Sequence, residues 1–128
     1  MIAVDTNVLV RLLTGDDPAQ AARAAALFAQ EHVFIPKSVL LETAWVLRYS
    51  YELDAGTILS AFRKLLGLPH VSAEDRGTLI DALAWYENGM NFADALHLAS
   101  ARAVDRFATF DVRLKRNAPD PDRVMLLK

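Results

Sequence analysis

The sequence predicts an α/β domain in which a short, mostly parallel sheet is flanked by helices. Several apolar runs of three or four residues show no polar alternation, which is typical of strands buried on both faces. Longer segments rich in alanine and leucine lie between these runs and have the composition of helices. The chain has 128 residues, the size of one ordinary domain, so we expect a single domain over residues 1–128.

The first half of the chain is expected to hold two strands and four helices. The strands are the apolar runs at residues 2–4 and 33–35, the second of which is closed by Pro36. Capping residue types mark where the helices begin: Asp5-Thr6-Asn7, Asp17-Pro18, Ser38 and Asp54. The helices are expected at about residues 8–13, 18–30, 38–49 and 58–66, with Gly15 and Gly67 ending the first and the last.

The second half is expected to continue the alternation of strands and helices. A weak strand is expected at residues 68–71, and Asn88-Gly89 breaks the helical pattern. A loop with two prolines over residues 117–122 precedes the last strand. The remaining elements are helices at about 74–86 and 92–104 and strands at 107–110 and 124–127.

Composition excludes several classes of protein. The formal net charge of −2 gives no support for a dedicated duplex-DNA binder, since such proteins are usually basic. The chain has no cysteine, which excludes a disulfide scaffold, a thiolate zinc site and a thiol nucleophile. We find neither a secretory signal nor an apolar stretch of membrane-spanning length, so we expect a cytoplasmic protein with no membrane contact.

Two acids stand directly after predicted strands. Asp5 follows Val4, and Asp111 follows Phe110. Ligands of parallel α/β sheets bind beyond the carboxyl ends of the strands, so a pair of acids there points to a site. Each acid alone also has a structural explanation: Asp5 as a helix N-cap and Asp111 as a turn residue.

Two further acids stand among apolar neighbours in predicted helices. Glu42 lies in the run 38–47 and Asp94 in the run 92–99, and we expect both carboxylates to be buried. A buried carboxylate is costly unless it is paired or binds a metal. The alternatives are a thin solvated stripe for Glu42 and a favourable helix-dipole position in the first turn for Asp94.

Carboxylates that converge repel each other unless a cation is present, and oxygen ligands suit magnesium or manganese. Such an ion polarises a phosphoryl oxygen and lowers the pKa of bound water. Thr6, Asn7 and Thr109 are candidates to orient a carboxylate or a water, with capping or turn roles as the alternative. Three cations beside Asp111 could hold phosphates or form a solvated basic turn: Arg113, Lys115 and Arg116.

Four segments in series resemble the PIN domain, and within it the VapC-type ribonuclease toxins of type II toxin–antitoxin systems. Each segment carries one of the acids, and together they extend over essentially the whole chain. They are Ile2-Ala3-Val4-Asp5-Thr6-Asn7-Val8-Leu9, the helix with Leu41-Glu42, Phe92-Ala93-Asp94-Ala95-Leu96, and Ala108-Thr109-Phe110-Asp111.

The resemblance implies a PIN-like three-layer domain with metal-dependent endoribonuclease activity. It implies a homodimer, and inhibition by a cognate VapB-type antitoxin that forms a hetero-oligomer with the toxin and covers its site. Thr109 matches a small hydroxyl residue often found two places before the last acid, whose position varies in the family. The implied ligands of Mg²⁺ or Mn²⁺, which are also the catalytic residues, are Asp5, Glu42, Asp94 and Asp111.

Two other functions stay open at the level of sequence. Aspartyl-phosphate phosphatases also begin with an acid after the first strand, but they use a second acid two residues later, where this chain has Asn7. A non-catalytic interaction module of PIN fold is the other alternative, and the intact set of four acids argues against it.

Overall fold

A computed structural model of the protein describes residues 1–128 and contains seven α-helices and five short strands. The elements fall into two units, Met1–Arg76 and Gly77–Lys128. None of the helices combines the length and apolar character that a membrane span needs.

The first unit is built around a three-stranded parallel sheet. Strand β2 lies between β1 and β3, and Val33 is in register with both Ile2 and Val71. The elements in order are β1 (Ile2–Ala3), α1 (Thr6–Thr14), α2 (Pro18–Gln30), β2 (Val33–Ile35), α3 (Lys37–Tyr49), α4 (Ala55–Leu66) and β3 (Val71–Ala73).

Local chemistry sets the ends of these helices. The Asp17 side chain accepts a hydrogen bond from the backbone N–H of Gln20 at 3.1 Å, and Asp54 caps α4 in the same way. Helix α1 ends at Gly15, whose φ of +67° is a left-handed conformation that glycine adopts without steric cost. The prediction that Ser38 caps α3 is wrong, because Ser38 lies inside the helix, which begins at Lys37, and the Lys37 N–H is satisfied by the Glu74 carboxylate at 2.9 Å.

The second unit holds the other helices and a pair of parallel strands. Phe107 is in register with Val124, and the N–H of Leu127 extends the ladder by donating to the Thr109 carbonyl at 2.8 Å. The elements in order are α5 (Arg76–Glu87, which begins at the boundary), α6 (Phe92–Ser100), β4 (Phe107–Thr109), α7 (Val112–Asn117), a 3-10 turn (Pro121–Arg123) and β5 (Val124–Leu126).

The predicted fold class is confirmed, since short strands alternate with helices and every strand pairing is parallel. The prediction that strands are buried on both faces holds in part for β2, where Val33 and Ile35 on one face are fully buried and Phe34 on the other is partly buried. It is wrong for β1, because Ile2 and Ala3 are exposed on the edge strand of their sheet.

Besides shifts of one to three residues at other element ends, three differences from the sequence-based expectation are larger. The weak strand expected at 68–71 lies at 71–73, because residues 68–70 form the connection after α4. Helix α6 ends at Ser100, four residues before the expected end. Helix α7 stands in the basic segment for which the sequence predicts no helix.

Candidate active site

The first unit joins two of the predicted acids through one threonine. Asp5 caps α1, and its Oδ1 accepts a hydrogen bond from the Thr6 backbone N–H at 2.7 Å. The Thr6 hydroxyl donates a short hydrogen bond to Oε1 of Glu42, which lies 36 positions away on α3. Thr6 is itself only 7% exposed, so its position is fixed by packing. The structure therefore brings together Asp5, Thr6 and Glu42.

The expected burial of Glu42 is wrong, because its side chain is exposed. The buried face of α3 is formed by other positions, among them Leu40 and Leu47, and Glu42 lies off that face. Its apolar neighbour Trp45 is 61% exposed, so apolar neighbours in this run do not mark Glu42 as a buried position. What distinguishes Glu42 is the hydrogen bond from Thr6 rather than the cost of a buried charge.

Asp94 in the second unit comes closer to the expected environment. It is partly buried in the first turn of α6, where its backbone N–H donates to the Asn91 side chain at 3.4 Å. Loss of hydration raises the pKa of Asp94, and the nearby negative charge of Asp111 raises it further. The structure thus places Asp94 and Asp111 close enough to repel each other.

Asp111 is the N-cap of α7 as well as the acid that follows β4. Its Oδ1 accepts hydrogen bonds from the backbone N–H groups of Arg113 at 2.8 Å and Leu114 at 3.3 Å. Its own N–H donates to the Thr109 hydroxyl at 3.0 Å, so Thr109 helps to fix the turn that presents the acid. Both capping bonds go to Oδ1, which leaves Oδ2 for another ligand.

These two acids line one cleft of about 370 Å³ within the second unit. The cleft combines carboxylates, amides, a guanidinium and an apolar floor, and its size falls in the range of small-molecule sites. It is lined by Gly89, Met90, Asn91, Asp94, Asp111, Arg113, Leu114 and Asn117.

Two asparagines line this cleft that the sequence did not mark as candidate site residues. Asn91 is the N-cap of α6 and accepts from the N–H of Ala93 at 2.9 Å, a role that its place before a helix could have signalled. Asn117 is the last residue of α7, and the sequence gives no sign of that helix.

The three predicted cations near Asp111 have different surroundings. Arg113 lines the cleft. Lys115 donates from Nζ to the carbonyl oxygen of Val124 at 3.0 Å and so ties α7 to β5. Arg116 is exposed and does not line the cleft. Among the polar residues expected to support the acids, Asn7 is exposed and lines a cleft formed by α1 and α2.

The donors present in both units suit a hard divalent cation. All four predicted ligands are carboxylates, the donor type that magnesium and manganese prefer. Loss of hydration and, after it, repulsion from Asp111 raise the pKa of Asp94, and a bound cation would offset both. Neither unit contains three acidic, histidine or cysteine side chains grouped to hold a metal ion. The convergence of all four acids on a metal therefore stays a prediction.

Helices alternating with parallel strands, and acids placed where strands give way to helices, define an α/β protein with an acidic candidate site. The model of the PIN domain family matches residues 2–119. The chain therefore belongs to the PIN domain family.

Among solved structures, the chain is similar to VapC20 of Mycobacterium tuberculosis, a toxin that cleaves the sarcin–ricin loop. The two are 22% identical and superpose with a TM-score of 0.46, over 96% of this chain and 99% of that one. No curated protein matches the sequence.

Proposed function

We propose that this protein is a metal-dependent endoribonuclease that hydrolyses RNA phosphodiester bonds. The observation that carries the proposal is the pair Asp94 and Asp111 in one cleft with Arg113, in a chain of the PIN domain family. The mutual repulsion of the two acids favours a cation as their partner. Arg113 supplies a guanidinium with the geometry to hold a phosphate.

In this proposal Mg²⁺ or Mn²⁺ is held by Asp5, Glu42, Asp94 and Asp111. The ion, when bound, supplies a Lewis acid and a water of lowered pKa. The residues of the chain then have separate tasks. The acids bind the metal, and Arg113 orients the RNA phosphate.

Two threonines are proposed to hold the acids in place. The Thr6 hydroxyl fixes one oxygen of Glu42, and Thr109 accepts the N–H of Asp111 and fixes the turn that carries that acid. Partners of this kind are usually as necessary as the ligands they orient.

We further propose that the protein is a VapC-type toxin, inhibited by a cognate VapB-type antitoxin and acting in the cytoplasm as a homodimer. Residues 1–128 then act as one PIN domain. Support for self-association comes from α3, where Trp45 and Tyr49 are 61% and 58% exposed and pack against each other at 5.6 Å between ring centroids. Such exposed aromatics are typical of protein contacts.

The test is RNA cleavage by the purified protein with manganese, with magnesium or with EDTA. Asp94→Asn and Asp5→Asn are compared with Asp120→Asn, which removes an exposed acid with no side-chain cap contact. We expect both site variants to lose about 100-fold or more in cleavage rate, since ligands matter at least as much as their supporting residues. Asp120→Asn should cleave as the unaltered protein does.

Three outcomes would overturn the proposal. They are cleavage that persists in EDTA, full activity of both site variants, and hydrolysis of phosphomonoesters without cleavage of RNA. The last result would favour a phosphatase.

A further inference from the structure

An exposed phenylalanine stands beside the candidate active site. Phe110 is 74% exposed and lies between β4 and Asp111. Hydrogen bonds hold the backbone on both sides of it, since the Thr109 carbonyl accepts the N–H of Leu127 and the Thr109 hydroxyl accepts the N–H of Asp111. A rigid backbone therefore presents the ring to solvent.

No role in the folded chain accounts for this ring. Aromatic side chains are usually the largest contributors to a core, and this one remains mostly in water. The exposed aromatics Trp45 and Tyr49 at least contact each other, whereas Phe110 contacts no other ring.

The charge that follows Phe110 fits a polyanion. Residues 107–117 contain three cations and one acid, a net charge of 3 − 1 = +2, in a chain whose net charge is −2. One of the three, Arg113, lines the cleft that also holds Asp94 and Asp111. An aromatic ring beside a local excess of cations is the combination by which proteins bind single-stranded nucleic acids.

We propose that Phe110 is a stacking platform for an unpaired RNA base, with Arg113 binding a phosphate of the same strand. This inference rests on the proposed function and adds one residue that touches the substrate: an aromatic ring that stacks on an unpaired base. Bases inside a duplex are already stacked on their neighbours, whereas bases in loops can be splayed out onto an aromatic side chain. Asn117, on the same cleft, offers an amide to the edge of a base or to a ribose hydroxyl.

The direct test is an NMR titration in EDTA with a short unstructured oligoribonucleotide, and with the same strand annealed to its complement. EDTA prevents metal-dependent cleavage, and NMR detects binding up to millimolar concentrations of RNA. We expect the ring resonances of Phe110 to shift with the single strand and not with the duplex, while those of Tyr49 stay in place. Ring signals of Phe110 that do not move with the single strand overturn the inference.

Variants measure how much the ring contributes. Phe110→Ala should weaken binding of the single strand about fivefold to a hundredfold, and Phe110→Trp should retain it, since stacking needs an aromatic face. Val104→Ala removes another exposed apolar side chain, 57% exposed, and should leave binding unchanged. An equal loss in Phe110→Trp and Phe110→Ala would contradict stacking. A change of oligomeric state in Phe110→Ala, with RNA binding intact, would assign the ring to a protein contact instead.

The salt dependence of RNA binding tests whether Arg113 contacts a phosphate. Arg113→Ala should lower the slope of log affinity against log salt by about 0.7, the value for one phosphate contact on a single strand. Arg106→Ala, which removes an exposed arginine outside the cleft, should change this slope less. Equal slopes for the two variants would refute a phosphate contact by Arg113.

These experiments separate the inference from the proposed function. Binding through Phe110 without metal-dependent cleavage would support base stacking by Phe110 and refute the proposed nuclease activity. Cleavage with an unchanged KM in Phe110→Ala would support the nuclease and refute the platform.

Discussion

Replacing Thr6 with valine tests how far the geometry of Glu42 depends on one hydroxyl. Valine has nearly the same shape as threonine, so packing at this 7% exposed position is kept and only the hydrogen bond to Glu42 is lost. Hydrogen bonds to charged groups contribute about 1.5–3 kcal/mol to stability. Glu42 is exposed and water can replace the donor, so we expect a loss of about 1 kcal/mol.

This loss of stability should lower the Tm, and the effect of the substitution on RNA cleavage should be larger. For a chain of this length about 1 kcal/mol corresponds to a Tm lower by roughly 4 °C. If Thr6 fixes a metal ligand, Thr6→Val should also lower RNA cleavage and manganese affinity by about 10- to 100-fold. The measurements are calorimetric unfolding, cleavage kinetics and manganese titration.

Thr43→Val is the matched control. Thr43 is fully buried one position after Glu42, and its hydroxyl donates to the Val39 carbonyl of its own helix at 2.7 Å. The same substitution there removes a hydroxyl that touches no predicted ligand, so activity and metal affinity should be kept. Full activity in Thr6→Val, or equal losses of activity in both variants, would refute the positioning role of Thr6.

Three further predictions concern charge. In EDTA, Asp94→Asn should unfold at a higher temperature than the unaltered protein, because it removes a carboxylate whose pKa is raised by loss of hydration and then by repulsion from Asp111. With magnesium the order should reverse, and a lower Tm in EDTA would contradict this. The hydrogen bond from Tyr51 lowers the pKa of Asp16 from 3.8 to about 2, so its stabilising contribution is complete above about pH 4 and lost as the pH falls towards 2. Urea unfolding at several pH values should show the stability difference between the unaltered protein and Asp16→Asn shrinking over that interval, and a constant difference would refute it. Lys115→Met breaks the bond to the Val124 carbonyl and should lower the free energy of unfolding by about 1 kcal/mol in urea titrations, and unchanged stability would show that the bond contributes nothing.

Where the chain carries a complete local signal, sequence and structure agree. The pair Asp17-Pro18 starts α2, Asp54 starts α4, and Gly15 ends α1. Each of these signals acts through hydrogen bonds or backbone angles within about four residues. They can therefore be read without knowing what the helix packs against.

Helix α7 shows where a local reading fails. It has six residues, fewer than two turns, so no helical period can be recognised in its sequence. Its support is the cap by Asp111 together with the burial of Leu114, which is 5% exposed. A helix this short is marginal without such contacts.

Glu42 shows the limit of reading burial from neighbours in sequence. Its apolar surroundings predict a buried carboxylate, yet the core meets a different face of α3 and the apolar Trp45 is left in solvent. Which face of an apolar helix is covered depends on the elements packed against it, and the sequence of the helix alone does not contain that information.

The sequence by itself determined the α/β class and the order of strands and helices apart from α7, and it singled out the four acids as candidates, because these follow from composition, capping and the series of family motifs. Only the tertiary structure decided what each acid meets. The hydrogen bond from Thr6 to Glu42 joins residues 36 positions apart, and Asp94 shares its cleft with Asp111 from another element. Contacts at such separations and the accompanying loss of hydration arise from packing, which no local pattern encodes.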